Sequence, residues 1–495
     1  MTEKILKGKC LWGTAFVLYP VACGVKWFYL AQQHYHILLS DEACGAFFLA
    51  QFYQLKELAA QFFFRHDYTL GSVRPFFTCL LYILTFKGSG FDPQATLIMG
   101  ILVGSLLVPL FFLVVVALLN VEVALFASVI LMWMTDYVYQ SIALTTIMPG
   151  ILFIVGALLA AIRYHRRGGV GFLYLSGWLM SMSVFCRYEN VFLLPAFVGY
   201  ELLFDKKGGF FSKIVYVLLC TSSSLYILYC NFQLYGDPFH MTRVQAAEAL
   251  RSGNAPAVPM AKAFEIVWRL LRKLLGPLFW GAAAAGMILM IKRYKRRALW
   301  LFSGALVLLL FLTYERKVGR LDSCENYFFL MPLIALPLGL ECVRTLFAGL
   351  GRRRIYGVVA LGAVALYSVV SFHGPNVRKL NDRWNYPHEL IQLTEALKGI
   401  PAASVLYIDN IVNRPGFNPP EVLVYLKRNP QKYVSGPGGV EPQEQEYYLL
   451  TFENRMESVP QEEAVKVRDY RAYGYDGLAL YRVTRSGNGS DKSPT

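Results

Sequence analysis

Long apolar runs separated by short clusters of Lys and Arg occupy the first three quarters of the chain. The runs lie at roughly 10–30, 95–118, 121–135, 142–162, 170–187, 190–204, 212–230, 274–291, 298–314, 327–345 and 356–373. Most approach the ~20 residues that a helix needs to cross a hydrocarbon core, so the pattern predicts about eleven membrane spans. A further run at 75–86 is too short to cross comfortably and is read as a helix lying on the membrane surface. The polar start of the chain, Met1 to Lys9, resembles a signal n-region, but the apolar stretch after it lacks a small-residue cleavage site and reads as a first span that stays.

The basic clusters set the expected sidedness. With Lys4, Lys7 and Lys9 inside, counting spans places Arg163 to Arg167, Lys206-Lys207, Lys292 to Arg297 and Arg352 to Arg354 inside as well, as the positive-inside tendency requires. Counting 75–86 as a span would put the Arg163 cluster outside. The chain is therefore expected to be a multi-pass protein of the cell membrane with a cytoplasmic N-terminus. Its outer face comprises a long loop at 31–94, a short turn at 135–141, a loop at 231–272, the segment 315–326 and the tail.

Beyond residue 373 the pattern changes. Helix-like stretches at 389–398 and 420–428 alternate with strand-like segments at 404–408, 447–452 and 477–483, which predicts a small α/β module outside the membrane. The expected organisation is a transmembrane domain at 1–373, an extracytoplasmic α/β domain at 374–486 and a polar, disordered end at 487–495. The fold class is thus a polytopic α-helical membrane protein with outer juxtamembrane helices and a small C-terminal extracytoplasmic α/β domain.

Composition agrees. Hydrophobic residues make up 56% of the chain and charged residues 16%, with a mean hydropathy of +0.41, which excludes an ordinary soluble protein. The formal net charge is +15, yet from residue 374 onward acidic and basic residues balance, so the whole excess belongs to the membrane part. Orientation accounts for it, and nucleic acid is not an expected partner. The nine cysteines form no C-x-x-C pair, which indicates neither a cysteine zinc site nor a disulfide framework. Walker, dinucleotide-binding, G-x-S-x-G and H-E-x-x-H motifs are all missing from the sequence.

Candidate chemistry gathers at the outer boundary. Asp41 and Glu42 follow the first span directly; they either cap the next helix or present a partly desolvated general base. A further acid, Asp136, recurs at the second outer turn, where the alternative is a solvated helix end. Arg316, Lys317 and Arg320 lie outward, against the sidedness rule. They form either a surface ion-pair set with Glu315 and Asp322 or an anion site for a lipid-linked phosphate, which Arg65 and Arg74 of the first loop could join. Arg187 and Glu189 interrupt an apolar stretch; such charges are either functional or placed among headgroups. Gly236-Asp237-Pro238 is a turn signal whose aromatic neighbours suit an interface as well as a sugar.

In their order, several of these residues resemble the GT-C superfamily, the integral-membrane glycosyltransferases that use polyprenyl-phosphate-linked sugars, as protein mannosyltransferases and aminoarabinose transferases do. The residues that carry the resemblance are Asp41-Glu42, Arg74-Pro75-Phe76-Phe77, Asp136, Arg187-Tyr188-Glu189, Gly236-Asp237-Pro238, and Asn326-Tyr327 ahead of Met331-Pro332. Family members often have Arg-Tyr where this chain has Asn326-Tyr327, so the phosphate-binding role passes to Arg316, Lys317 or Arg320.

The resemblance implies sugar transfer from a polyprenyl-phosphate donor to an acceptor hydroxyl of a lipid, glycan or protein on the extracytoplasmic face. Asp41 would be the general base, with inversion at the anomeric carbon and with Glu42 and Asp136 orienting the acceptor. Arg65, Arg74, Arg187, Glu189, Arg316, Lys317 and Arg320 are the candidates for donor and lipid-phosphate binding. No residue is assigned as a metal ligand and no cofactor is required, although outer carboxylates are the oxygen donors that Mg²⁺ or Mn²⁺ takes. The rival readings are a flippase or transporter for lipid-linked saccharides and a non-catalytic membrane scaffold.

Overall fold

A computed structural model describes residues 9–32, 76–90, 93–205, 208–240, 258–318 and 330–384, and in the tail 406–408, 446–452, 463–469 and 478–484, apart from a few positions within these ranges. The chain divides into two compact units. One comprises Met1–Gln32, Ala59–Leu81 and Leu97–Lys379, the other Gln33–Leu58, Tyr82–Thr96 and Leu380–Thr495.

The described helices are α1 (Lys9–Ala31), α2 (Phe76–Gly88), α3 (Pro93–Ser105), α4 (Leu107–Leu118), α5 (Val121–Trp133), α6 (Thr135–Ile142), α7 (Ile147–Arg167), α8 (Val170–Cys186), α9 (Leu194–Phe204), α10 (Phe210–Tyr235), α11 (Met260–Leu275), α12 (Pro277–Tyr294), α13 (Arg296–Lys317), α14 (Leu330–Gly351) and α15 (Arg354–Trp384). Each apolar run of the sequence holds helix. Among the described residues six helices are long and apolar enough to cross a membrane, or seven if the bent pair α5–α6 is one span, and the chain is a multi-pass membrane protein. The short run at 75–86 is helical too, as α2.

Two breaks depart from the pattern expected of the sequence. The segment 135–141, expected as a turn, is the helix α6, set at 63° to α5. Met134 between them is extended (φ −63°, ψ 125°), and every residue from Asp136 to Ile142 is buried. The second break is at Arg187, also extended (φ −160°, ψ 116°), between α8 and a 3₁₀ turn at Tyr188–Leu193. Asn190 holds this break: its backbone N–H donates to the Arg187 carbonyl (3.0 Å) and its side-chain amide to the Ser183 carbonyl (2.9 Å).

Buried polar contacts and close approaches tie the first unit together. A Cβ on Gly104 would lie 2.5 Å from Ser141 Cβ, so glycine there lets α3 and α6 touch, as small residues do between membrane helices. Lys26 of α1 is fully buried and donates to Ser105 Oγ (2.7 Å) and Tyr137 Oη (2.8 Å). Its ammonium also lies 4.3 Å from the centre of the Tyr137 ring, within cation–π range. Tyr137 in turn donates to the Gly104 carbonyl (2.7 Å). At the other end of the helices, Asn120 caps α5 by accepting from the Val123 N–H (2.9 Å) and donates to Glu341 (2.9 Å), which also receives the Arg344 fork.

In the second unit the tail folds as a four-stranded sheet of β1 (Leu406–Ile408), β2 (Glu446–Phe452), β3 (Glu463–Asp469) and β4 (Leu478–Thr484) in the order β1-β2-β4-β3. β1 runs parallel to β2 and the other pairs are antiparallel. Tyr447, Leu449, Ala479, Tyr481 and Val483 bury one face, the period-two pattern of a half-covered sheet. The strands expected at 404–408, 447–452 and 477–483 are present as β1, β2 and β4, whereas β3 was not anticipated. The expected helices at 389–398 and 420–428 lie outside the described residues.

Candidate functional site

Asp41, Glu42, Arg65, Arg74, Arg320, Asn326-Tyr327 and the side chain of Glu189 lie outside the described residues. The described candidates stand on α6 (Asp136), at the break after α8 (Arg187) and in the last turn of α13 (Arg316, Lys317).

Asp136 stands in the first turn of α6, with 8% of its surface exposed. It is not the solvated helix end that was one reading of the sequence. The adjoining Tyr137 anchors this turn through Lys26 to α1 and α3, so the acid is held by a rigid, buried framework rather than by a loop.

Arg316 stands in the last turn of α13. It too is 8% exposed, and neither Nε nor Nη1 has a hydrogen-bond partner among the described residues. A buried guanidinium with unfilled donors is costly by itself and is unlike a solvated surface ion pair. Lys317 beside it is exposed, and its carbonyl accepts from the Val258 N–H (3.1 Å). The 3₁₀ turn after Arg187 packs on the same helix, with Phe192 stacked on Phe311 at 4.0 Å between ring centres. Arg187, half-buried, and Arg316 are thereby brought to one end of the bundle.

An apolar cleft lies along the same helices. Its walls come from α4 (Phe111, Val115), α7 (Ile154), α9 with the residue before it (Leu193, Phe197), α13 (Gly304, Leu308) and α14 (Leu330, Leu338). Its lining is almost wholly hydrocarbon. The series Gly304, Leu308, Leu312, Arg316 runs along α13 at four-residue spacing; the first two line the cleft, and Leu312 is buried. At 1.5 Å per residue, Arg316 is about 12 Å beyond Leu308 along the axis. The arrangement suits an amphiphile with a long apolar tail and an anionic head.

Gly236-Asp237-Pro238 is a helix stop. Gly236 ends α10 in the left-handed conformation (φ 66°), which glycine adopts without strain. Asp237 accepts from the Phe239 N–H (3.0 Å), and the Asn231 amide donates to the Pro238 carbonyl (3.1 Å).

Two features were not anticipated from the sequence. One is Lys26, a single charge inside the first apolar run. The other is a cluster at the opposite end of α9, where His165, Glu201 and Asp205 bring ligand-type atoms within 4.8 Å of one another; it contains no cysteine and so leaves no trace in cysteine spacing.

No family model matches the sequence, and no curated protein matches it in sequence. Solved structures do match. The chain is similar to ArnT from Cupriavidus metallidurans bound to undecaprenyl phosphate, with a TM-score of 0.65, 13% identity, and 95% of this chain and 98% of that one covered. Against ArnT in the apo state the TM-score is 0.59, again at 13% identity and with the same coverage. The Archaeoglobus fulgidus oligosaccharyltransferase, solved in complex with Zn and sulfate, gives 0.49 at 12% identity over 85% of this chain and 62% of that one. The fold is GT-C-like, as the sequence resemblance implied.

Proposed function

We propose that this GT-C-like membrane protein is a glycosyltransferase that moves a sugar from a polyprenyl-phosphate donor to an acceptor hydroxyl on the extracytoplasmic face. The observation that carries the reading is a hydrocarbon cleft whose α13 wall leads, about 12 Å further along the helix, to the buried Arg316, whose Nε and Nη1 have no partner among the described residues. Neither half suits a soluble donor such as a nucleotide sugar. Together they suit an isoprenoid chain ending in phosphate, and ArnT, whose fold the chain shares, has been solved with undecaprenyl phosphate bound.

In this reading the lipid tail occupies the cleft and the phosphate meets Arg316, with Lys317 and Arg187 adding positive charge at the same end. The acceptor oxygen forms a bond to the anomeric carbon as the bond from that carbon to the phosphate oxygen breaks. The electron pair leaves on the lipid phosphate, whose growing charge the guanidinium stabilises. Asp41 takes the proton from the acceptor hydroxyl, and attack from the face opposite the phosphate inverts the configuration. Glu42 and Asp136 orient the acceptor; Asp136 is fitted to that task by its rigid seat beside Tyr137.

Asp41→Asn should abolish sugar transfer while the protein still inserts and purifies normally. Undiminished turnover by that variant would remove Asp41 as the base.

A further inference from the structure

His165 lies in the last turn of α7, Glu201 lies in the last turn of α9, and Asp205 is the residue that ends α9. Glu201 and Asp205 are four apart and therefore share a helix face. His165 Nε2 and Glu201 Oε1 are 2.8 Å apart. Asp205 Oδ2 accepts from Tyr164 Oη (2.8 Å) and from the Gly208 N–H (2.9 Å). Lys213 of α10 donates to the Asp205 carbonyl (2.6 Å). A Cβ at Gly208 would lie 2.6 Å from Asp205 Oδ2, so the chain turns around this carboxylate at the closest approach glycine allows.

A hydrogen-bonded cluster does not account for all of this. Glu201 is 1% exposed, and its second oxygen, Oε2, is buried without a hydrogen-bond partner among the described residues. Left ionised, a carboxylate oxygen with no donor is expensive to bury, and this one belongs to a side chain already turned toward an imidazole and a second carboxylate. A small cation would supply the missing partner.

We propose that His165, Glu201 and Asp205 bind one divalent transition-metal ion of the Zn²⁺ class. One imidazole and two carboxylates are an N/O donor set that Zn²⁺ accepts, with water in the fourth position. Bonds of about 2.0 Å place tetrahedral ligand atoms about 3.3 Å apart, so a 4.8 Å cluster closes by small side-chain movements. Tyr164 and the Gly208 N–H fix the Asp205 carboxylate as outer partners of metal ligands do.

The site is remote from Arg316. Phe192 meets Phe311 near one end of the bundle, whereas Glu201 lies nine residues further along the chain, at the other end of α9. The ion would pin α7 to α9, the helices that supply Ile154 and Phe197 to the cleft. Metal binding at this cluster is independent of the glycosyltransferase reading.

The test uses the full-length protein in detergent, stripped with a chelator and then equilibrated with Zn²⁺ alone. One equivalent of retained zinc and a higher unfolding temperature on adding zinc are expected for the wild type, with both lost in Glu201→Gln and His165→Gln. No stoichiometric uptake by the wild type, or equal uptake by both variants, would overturn the site. Because either variant could fail to fold, Co²⁺ is also titrated into the wild type. A weak visible band of a tetrahedral N/O site is expected; a thiolate charge-transfer band, or no tetrahedral band, would refute the assignment.

Discussion

Replacing Arg316 by Met separates the two explanations for this residue by sign as well as by size. If the guanidinium belongs to a structural ion pair, removing it breaks a buried pair and should destabilise the fold by about 3–5 kcal/mol. If it is instead a phosphate site, Nε and Nη1 stay unfilled until a ligand arrives, so Met, an unbranched apolar side chain, should leave the ligand-free protein as stable as before or more so. Ligand binding should show the opposite response. One or two charge-assisted hydrogen bonds to a phosphate contribute about 2–4 kcal/mol, which corresponds to a Kd raised ~30- to ~700-fold. The assay is thermal or chemical unfolding in detergent with and without undecaprenyl phosphate. At 100 times the wild-type Kd the lipid stabilises the protein by ~2.7 kcal/mol, and a variant binding 100-fold more weakly retains only ~0.4 kcal/mol of that. A destabilised variant that still gains the full increment from the lipid would refute the reasoning and make Arg316 part of a structural ion pair.

Gly304 lines the cleft, and a Cβ built there meets nothing within 4 Å; Gly304→Leu should fill the tail's space, weakening the lipid-dependent stabilisation without lowering the unfolding temperature of the ligand-free protein. In the tail, Arg482 donates to Glu446 (2.6 Å) and holds its carboxyl below the usual range. A depressed folded-state pKa means stability present above the unfolded value of about 4.3 and lost as pH falls through the folded one. The stability difference between wild type and Glu446→Gln should therefore be flat from neutral pH down to about pH 5 and shrink below it; a difference that grows on acidification would contradict the pair's role.

The helices were legible because hydrocarbon demands long apolar runs whatever the tertiary structure, and β1, β2 and β4 because half-buried strands alternate. Other features depend on neighbours. Nothing local distinguishes Met134 from any other residue of an apolar run, so the bend that makes α6 a helix and buries Asp136 could not be read. Lys26 alone is consistent with snorkelling to an interface; that it is buried against Ser105 and Tyr137 follows only from helix packing. β3 carries Glu463, Lys466, Arg468 and Asp469, the charges of an edge strand, which mask its alternation. His165 belongs to a basic cluster explained by sidedness, and its partner Glu201 is 36 residues away, so only the fold joins them. Arg316 was legible as a charge out of place, but its burial was not.

If the cleft and Arg316 serve a lipid-linked sugar that the protein consumes, the released lipid is the most direct witness. The purified protein should be incubated with a panel of polyprenyl-phosphate sugars, together with membrane lipids, glycans and peptides as acceptors, and the free polyprenyl phosphate should be measured by mass spectrometry. One donor should be consumed by the wild type and spared by Asp41→Asn. A panel in which every donor survives the wild-type protein, although undecaprenyl phosphate binds and protects it, would contradict transfer and favour a carrier of such lipids.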